Sequence, residues 1–285
     1  MTLPFKIDLK GKTAVVTGGG GVLCSEFSKA IAACGANVAV CDLRLEAAEK
    51  VADAIRKDGG SAIAVEANVL DKKSLEAARD VILEKFGGID ILLNGAGGNN
   101  PKGTTSKEYF DPEDLSKEAK DIKTFFDLDP DGVSFVFNLN FLGTLLPTQV
   151  FAREMLKREK PVILNVSSMN AFRPLTKIPA YSGAKAAVSN FTEWLAVHFA
   201  KSGMRVNAIA PGFFITDQNR DLLLKPDGSL TPRSEKILNH TPMGRFGEVS
   251  DLIGAVLWLL DDKAAGFVTG VVVPIDGGFA AYSGV

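Results

Sequence analysis

Two residues that could exchange a proton with a substrate, Tyr181 and Lys185, stand four positions apart. Apolar residues recur at helical spacing through 184–200, so the two side chains are predicted on one face of a helix, where their head groups can meet. An ammonium group close to the phenol would favour the phenolate and lower the pKa of the tyrosine towards neutrality. The pair therefore predicts an acid/base centre built without histidine.

The alternative is a solvated helix face, on which Tyr and Lys four residues apart are common. The preceding stretch favours the catalytic interpretation. Residues 161–166 are typical of a short buried strand, and Ser167 and Ser168 follow where its carboxyl end opens into a loop. This end is the usual ligand side of an α/β sheet. A serine hydroxyl there could hold a substrate oxygen.

Length and charge restrict the class of protein. The 285 residues could form one large domain or two small ones, but no linker rich in Pro, Gly or Ser divides them. A single domain over 1–285 is therefore predicted. A net charge of −2 and a pI of 5.8, with basic residues scattered, argue against a nucleic-acid surface. Small molecules are the expected partners.

Cysteine and histidine usage also excludes several functions. Cys24, Cys34 and Cys41 have no CxxC spacing and an odd count, which predicts reduced, mostly buried thiols. His198 and His240 are too few for a multi-histidine metal site, so no metal is predicted. No leader-like start is visible, and no apolar run approaches the roughly 20 residues that span a bilayer. A cytoplasmic protein without membrane contact is expected.

The rest of the chain alternates strand and helix patterns. Strands are predicted at 12–17, 37–41, 61–65, 89–93, 161–166, 204–210 and 271–273, and helices at 22–34, 71–86, 133–157, 184–200 and 248–260, with another starting at Leu45. Such alternation predicts a doubly wound parallel α/β sheet of the Rossmann type, covered on both faces. Four glycines, 18–21, join the first strand to the first helix. They could bring backbone N–H groups to a pyrophosphate, although any tight turn favours glycine.

Several segments, in order, resemble the short-chain dehydrogenase/reductase family. They are 17–20 (TGGG), 94–97 (NGAG), 140–143 (NFLG), 181–185 (YSGAK), 211–212 (PG) and 276–278 (DGG). The catalytic serine of the family stands thirteen residues before the tyrosine of its YxxxK motif, as Ser168 stands before Tyr181. The resemblance runs nearly end to end. It implies an oxidoreductase that moves hydride between a nicotinamide cofactor and a carbonyl or alcohol carbon.

The resemblance also implies the site residues. Tyr181 would exchange the proton, Ser168 would orient the substrate oxygen, Lys185 would lower the tyrosine pKa and hold the nicotinamide ribose, and Asn140 would anchor a relay water. The implied cofactor residues follow successive strands: Gly18, Gly20, Gly21, Val22, Leu23, Asp42, Asn68, Val69, Asn94, Gly95, Ala96, Tyr181, Lys185, Pro211, Gly212, Phe214 and Thr216.

Two positions bear on how the cofactor is held. The family fingerprint is TGxxxGxG, but Val22 stands at its second glycine and Cys24 at its third, so Gly19 to Gly21 are expected to supply the close backbone approach. Asp42 ends the second strand, where a carboxylate can accept from both adenosine ribose hydroxyls and would repel a 2′-phosphate. NAD(H) is therefore predicted over NADP(H). Asp42 could also cap the helix that starts at Leu45, alone or together with the ribose role, and Arg44 could accommodate a phosphate.

Two polar stretches interrupt the pattern. Residues 98–132 show no sustained period and are longer than the usual connection in the family, which predicts an insertion. Residues 213–245 include a Pro-Asp-Gly turn at 226–228 and are predicted to form a lid over the substrate.

Within the family, the segments 97–102, 127–130, 138–144, 167–172 and 280–285 resemble the bacterial D-mannonate oxidoreductases, or fructuronate reductases. The implied substrate is a polyhydroxylated carboxylate. Its expected contacts are Asn99, Lys102, Ser168, Asn170 and Arg173, the two cations being candidates for the carboxylate. Reduction of 5-ketogluconate or a carrier-bound 3-oxoacyl group, and a non-catalytic NAD-sensing protein, remain alternatives. A homotetramer is expected from the family.

Overall fold

The structure, a computed structural model, describes residues 6–116, 121–215 and 220–284, and for 221 and 222 only the backbone. Seven parallel strands form one sheet: β1 Thr13–Thr17, β2 Asn37–Asp42, β3 Ser61–Glu66, β4 Ile91–Asn94, β5 Val162–Val166, β6 Arg205–Pro211 and β7 Val272–Ile275. Their order is β3-β2-β1-β4-β5-β6-β7. The order reverses between β1 and β4, where a parallel α/β sheet opens a crevice for ligands.

Helices cover both faces of this sheet. They are α1 Val22–Ala33, α2 Leu45–Lys57, α3 Lys72–Phe86, α4 Pro130–Phe137, α5 Gly143–Met155, α6 Pro179–Phe199, α7 Arg220–Leu223, α8 Pro232–Asn239, α9 Val249–Leu260 and α10 Asp262–Ala265. Buried residues of α1, α2 and α9 form one core, and those of α3, α5 and α6 form the other. The prediction of a single doubly wound Rossmann-type domain is confirmed.

The strands are buried on both faces because of their composition. All five residues of β1 are buried, and successive side chains serve opposite cores: Ala14 and Val16 pack with α1 and α9, whereas Val15 packs with α3 and α5. Alternation of this kind is what a β-branched run between two helical layers requires. The carboxyl ends of β1, β4 and β5 therefore meet at one edge of the sheet.

The prediction of one long helix over 133–157 is wrong in detail. The stretch consists of α4, a π-helical turn at Asn138–Leu142 and α5. Helical periodicity in the sequence does not reveal a π turn, because one extra residue shifts the hydrogen bonds without ending the apolar pattern. The turn surrounds Asn140.

The same stretch is the one place, within the described ranges, where a helix is long and apolar enough to cross a bilayer. Pro130–Met155 has a mean hydropathy of 1.3, and half of its apolar window is buried inside the protein. Its buried residues include Val150, Phe151 and Met155, which pack in the core under the sheet. We therefore assign it as a core helix.

The two polar stretches also have defined local structure. Between 98 and 132 the chain forms short 3₁₀ turns at Pro101–Gly103, Pro112–Leu115 and Phe125–Asp127, and 117–120 lie outside the described residues. Between 213 and 245 it forms α7 and α8, with 216–219 likewise outside. The Pro-Asp-Gly turn is present, since Gly228 N–H donates to Lys225 O at 2.9 Å.

Candidate active site

The turn after β1 forms an open cradle of backbone groups. Gly18 has a φ of +64°, and a Cβ atom there would lie 2.9 Å from Ala96 Cα. A Cβ on Gly20 would lie 2.6 Å from Ala47 Cβ. Helix α1 starts at Val22 with no side-chain cap, so the N–H groups of its first turn are free for a ligand. The cradle fits the pyrophosphate of a dinucleotide, the role predicted for Gly18, Gly20, Gly21, Val22 and Leu23.

Cys24 explains how the turn departs from the family fingerprint. Its sulfur occupies the space above Gly95 Cα, so that any Cβ at residue 95 would collide with it. Cys24 is buried, and burial raises the pKa of its thiol to about 12 despite the nearby charge of Lys185. The thiol is therefore protonated and acts as packing between α1 and the end of β4.

Asp42 is held by the turn that it faces. Its Oδ2 accepts from Gly20 N–H and its Oδ1 from Arg44 N–H, each at 3.0 Å. It does not cap α2, because Arg44 is the residue at that position and no side chain caps the helix. The fixed carboxylate lies at the strand end where the adenosine ribose was predicted. Gly20 and Arg44 also line a groove of about 880 Å³ that continues along α1 and α2.

The predicted adenine contacts follow β3. Asn68 is exposed, with its Oδ1 accepting from Leu70 N–H at 3.0 Å, and Val69 is buried beside Gly143. The amide nitrogen of Asn68 is thus available to a ligand.

Asn94 and the residues after it divide between the sheet and the crevice. Asn94 Nδ2 donates to Asn165 Oδ1 at 2.9 Å and to Thr148 Oγ1 at 3.0 Å, so its side chain ties β4 to β5 and α5. Gly95 and Ala96 turn back over β1, where Thr17 Oγ1 accepts from Gly95 N–H at 3.1 Å. Gly95 and Ala96 therefore border the crevice, whereas the side chain of Asn94 lies within the sheet.

The predicted nicotinamide turn follows β6. A Cβ on Gly212 would lie 2.6 Å from Asp276 Cα, so the turn passes directly beside the C-terminal Asp-Gly-Gly segment. Phe214 is buried against Gly247, and Thr216 lies outside the described residues. Phe213 and Phe214 of this turn line a cavity of about 390 Å³ together with Gly277 and Gly278. None of the four catalytic candidates lines it.

The catalytic candidates come together at the ends of β4, β5 and α6. Ser168 follows β5, and its hydroxyl is hydrogen-bonded to that of Tyr181 in the first turn of α6. Pro179 begins that helix five residues before the predicted start, since proline is favoured in a first helical turn. Tyr181 is thereby rigidly placed opposite Ser168.

Lys185 lies one helical turn beyond the tyrosine. Its Nζ is 5.7 Å from the centre of the Tyr181 ring and donates to Val166 O at 2.8 Å. Burial lowers the pKa of Lys185 to about 8. The amine therefore retains donors for a ligand and is held by the last residue of β5.

Asn140 completes the group. Its Nδ2 donates to Gly98 O and to Val136 O, both at 2.7 Å, and its Oδ1 accepts from Gly98 N–H at 3.3 Å. A Cβ on Gly97 would lie 2.7 Å from Asn140 Oδ1 and 3.2 Å from Lys185 Nζ. Only glycine at 97 lets the Asn-Gly-Ala-Gly segment pass this close to both side chains.

The predicted lowering of the Tyr181 pKa is wrong for the protein without a ligand. Lys185 was predicted to lower the pKa of Tyr181, but burial of the ring raises that pKa, and the hydrogen bond from Ser168 opposes the rise without reversing it. Lys185 is itself buried, which weakens its tendency to carry charge. The phenol is therefore protonated at neutral pH.

The structure distinguishes the two cations predicted for the substrate carboxylate. Lys102 Nζ forms an ion pair with Asp129 Oδ2 at 3.2 Å. Arg173 is exposed in the loop between Ser168 and Tyr181; its guanidinium reaches only Phe172 O, and no described carboxylate pairs with it. Of the two cations, Arg173 is therefore the one whose charge is available to a substrate carboxylate.

The two predicted amides differ in the same way. Asn99 is exposed and donates to Thr104 Oγ1 at 3.2 Å. Asn170 is buried two residues beyond Ser168.

Two residues of the 98–132 stretch, Thr105 and Glu108, contact the loop before Tyr181 and helix α8. Thr105 N–H donates to Lys177 O at 2.9 Å in the loop before Tyr181, and Lys177 has a φ of 71°, unusual for a residue other than glycine. Glu108 forms an ion pair with Lys236 of α8. In the described part of the chain, no group of three His, Cys, Asp or Glu side chains could hold a metal ion.

Sequence reasoning missed two positioning residues. Thr17 holds the 95–96 turn, and Ser167 donates to Lys185 O at 3.1 Å and contacts Ser189 Oγ at 2.7 Å. The sequence does show that both are hydroxyl residues at the ends of strands. A Ser or Thr at a strand end is common, however, and the strand register is needed to identify the ones that position other residues.

Comparison with known proteins agrees with this geometry. The short chain dehydrogenase profile matches residues 12–226. An oxidoreductase of Haemophilus influenzae with no characterised reaction is 56% identical over all of this chain and 99% of its own. UxuB of Bacillus subtilis strain 168, also uncharacterised, is 52% identical over 99% of this chain and 100% of its own.

A crystal structure from Haemophilus influenzae, provisionally named a D-mannonate oxidoreductase, contains bound NAD. It is 55% identical and superposes with a TM-score of 0.94 over 100% of both chains. The cofactor bound there is the one expected from Asp42. This protein is an oxidoreductase acting on CH–OH groups, and it belongs to the short-chain dehydrogenase/reductase family.

Proposed function

We propose that the protein is an NAD-dependent oxidoreductase that interconverts D-mannonate and D-fructuronate. The observation that carries the catalytic part is the contact between the Ser168 and Tyr181 hydroxyls beside the buried Lys185. The substrate part rests on the provisional name of the similar NAD-containing structure and on the segments that resemble D-mannonate oxidoreductases. The bound cofactor would supply the hydride chemistry, the oxidised form accepting a hydride and the reduced form donating one.

Each side chain then has a defined task. Ser168 holds the substrate oxygen and Tyr181 gives it a proton during reduction, or removes one during oxidation. Lys185 offers its remaining N–H donors to the cofactor ribose, and Asn140, within the π turn, anchors the water that returns protons to the site. These assignments are supported by the way that Gly97 fits between Asn140 and Lys185.

The activity is tested with purified protein on a panel of keto-uronates and keto-gluconates, each with NADH and NADPH. D-fructuronate with NADH should give the highest kcat/KM. A preference for 5-ketogluconate or for a carrier-bound 3-oxoacyl substrate would move the protein to another reductase of the family. Absence of any turnover, with NADH bound, would favour a non-catalytic NAD sensor.

Asp42 should determine the cofactor preference. The wild type should favour NADH over NADPH in kcat/KM, and Asp42→Ala should reduce that preference by roughly tenfold or more, because the carboxylate no longer repels a 2′-phosphate. Both ratios come from initial rates with saturating substrate. Asp58→Ala, at the other end of α2, removes an exposed carboxylate as a control. A wild type that prefers NADPH would mean that Arg44 dominates.

Arg173 should bind the substrate carboxylate. Arg173→Met should raise KM for D-fructuronate by roughly tenfold with little change in kcat, since a charge-assisted hydrogen bond to an exposed site is lost. KM for an uncharged ketone should not change. Lys102→Met is the matched control, because Lys102 is already paired with Asp129. Equal effects of Arg173→Met on both substrates would reject the assignment.

We further infer a cytoplasmic homotetramer in which 98–132 is an insertion that forms the outer wall of the pocket and 213–245 is its lid. The ion pair between Glu108 and Lys236 links the two segments, which supports a wall and a lid in contact with each other. The expected subunit contact is supported by Trp258, Phe267 and Val271, which are exposed beside β7 in the single chain. Light scattering of the purified protein measures the subunit number.

A further inference from the structure

We propose that the side-chain amide of Asn170 binds a substrate hydroxyl next to the reacting carbon, and so selects polyhydroxylated substrates. This inference rests on the proposed function, which it refines. It concerns a different part of the substrate from the carboxylate assigned to Arg173.

The position of Asn170 is fixed relative to the catalytic hydroxyl. Ser168 caps the 3₁₀ turn Met169–Ala171, and its Oγ accepts from Asn170 N–H at 3.2 Å. Ala171 N–H donates to Ser168 O at 3.0 Å. The turn packs against α6, the helix that carries Tyr181. Any group bound by Asn170 therefore lies at a set distance from the substrate oxygen.

The amide has no partner within the described ranges. Asn170 is 5% exposed, and its Oδ1 is fully buried without a hydrogen bond. Its amide nitrogen makes none either. By contrast, Asn140 and Asn165, two other buried asparagines nearby, are each paired on both side-chain atoms. Asn94 leaves its Oδ1 unpaired, but its Nδ2 has two partners, so Asn170 differs from all three in having no partner on either atom. Because buried polar groups are almost always paired, an unpaired amide beside Ser168 points to a partner that the chain does not supply.

The chemistry of the amide suits a hydroxyl. An amide both donates and accepts, as a hydroxyl does, and it adds no charge next to the carbonyl. In D-fructuronate both carbons that flank the ketone carry hydroxyl groups. Once Ser168 and Tyr181 hold the ketone oxygen, a flanking hydroxyl lies one carbon–carbon bond away. A residue two positions beyond Ser168 is placed to meet it.

The test is a cycle of enzyme and substrate changes. Asn170→Leu keeps the size of the side chain and removes both polar atoms; the substrates are D-fructuronate and its analogues lacking either flanking hydroxyl. We expect Asn170→Leu to lower kcat/KM for D-fructuronate by roughly 10- to 100-fold. Removing the contacted hydroxyl should cost the wild type a similar factor. Making both changes should cost no more than either one alone.

Further measurements distinguish a lost substrate contact from a folding defect. NADH affinity and Tm report folding, and Asn170→Ala repeats the cycle if the leucine does not pack. Ser28→Ala in α1, which removes another buried unpartnered oxygen, is the control and should leave kcat/KM unchanged. Losses that multiply, or the absence of any loss, would overturn the role of Asn170 alone. A wild type that reduces no keto-uronate would remove the proposed function and this inference together.

Discussion

Replacing Tyr181 with phenylalanine should lower kcat by about 10²–10⁴-fold while leaving NADH binding intact, because the ring still packs and only the proton is lost. The hydrogen bond to Ser168 and the position of Tyr181 in the first turn of α6 place the phenol where a substrate oxygen would be held. Steady-state rates, with NADH binding followed by fluorescence, measure the two effects separately.

The pKa of Tyr181 adds a directional expectation. Burial raises that pKa, so the phenol already carries the proton that carbonyl reduction consumes at neutral pH. Reduction should therefore depend little on pH near neutrality, whereas alcohol oxidation, which needs the phenolate, should rise with pH. Tyr109→Phe, which changes an exposed tyrosine, is the matched control. Near-normal turnover of Tyr181→Phe would remove the assignment.

Replacing Lys185 with methionine should lower turnover by roughly two orders of magnitude or more, yet leave the protein as stable as before or more so. Burial lowers the pKa of Lys185 from 10.5 to about 8. One pKa unit corresponds to about 1.4 kcal/mol, so keeping the buried ammonium charged at neutral pH costs on the order of 3 kcal/mol. A methionine of similar length avoids that cost.

The stability difference should depend on pH in one direction. Below about pH 8 the lysine is charged in both the folded and the unfolded chain, and the cost is complete. Between the folded pKa and the unfolded value of 10.5 the folded chain releases its proton first, so wild-type stability recovers as pH rises. The Tm advantage of Lys185→Met should thus be largest below pH 8 and shrink above it. Lys201→Met, in the exposed turn after α6, should show no such trend. A variant that melts lower at neutral pH would contradict the argument.

Much of the fold followed from periodicity and turn chemistry. β1, β2 and β3 begin and end within one residue of their predicted bounds, because each is a short apolar run with a glycine one or two residues before it. The motif spacing also predicted that Ser168 and Tyr181 would meet, and their hydroxyls are in contact in the structure. The local sequence pattern was therefore sufficient to predict these strands and the meeting of these two residues.

The features that were missed depend on contacts between distant segments. At the π turn the side chain of Asn140 bonds to Gly98, a distant contact that no local pattern records. The raised pKa of Tyr181 depends on how deeply α6 is packed, and the ion pair of Lys102 depends on where Asp129 falls. The cofactor and substrate roles of individual residues remain predictions for the same reason, since they depend on a ligand as well as on the chain.

The contact of Cys24 with Gly95 ties two positions through one shared volume, the space between α1 and the end of β4. A side chain at residue 95 is compatible only with a smaller residue at 24, and a thiol at 24 requires that residue 95 have none. Across related chains the two positions should therefore vary together. A glycine at either position would leave the same gap between α1 and the end of β4. A search that demands glycine at position 24 would therefore pass over this chain, in which Gly95 leaves the gap instead.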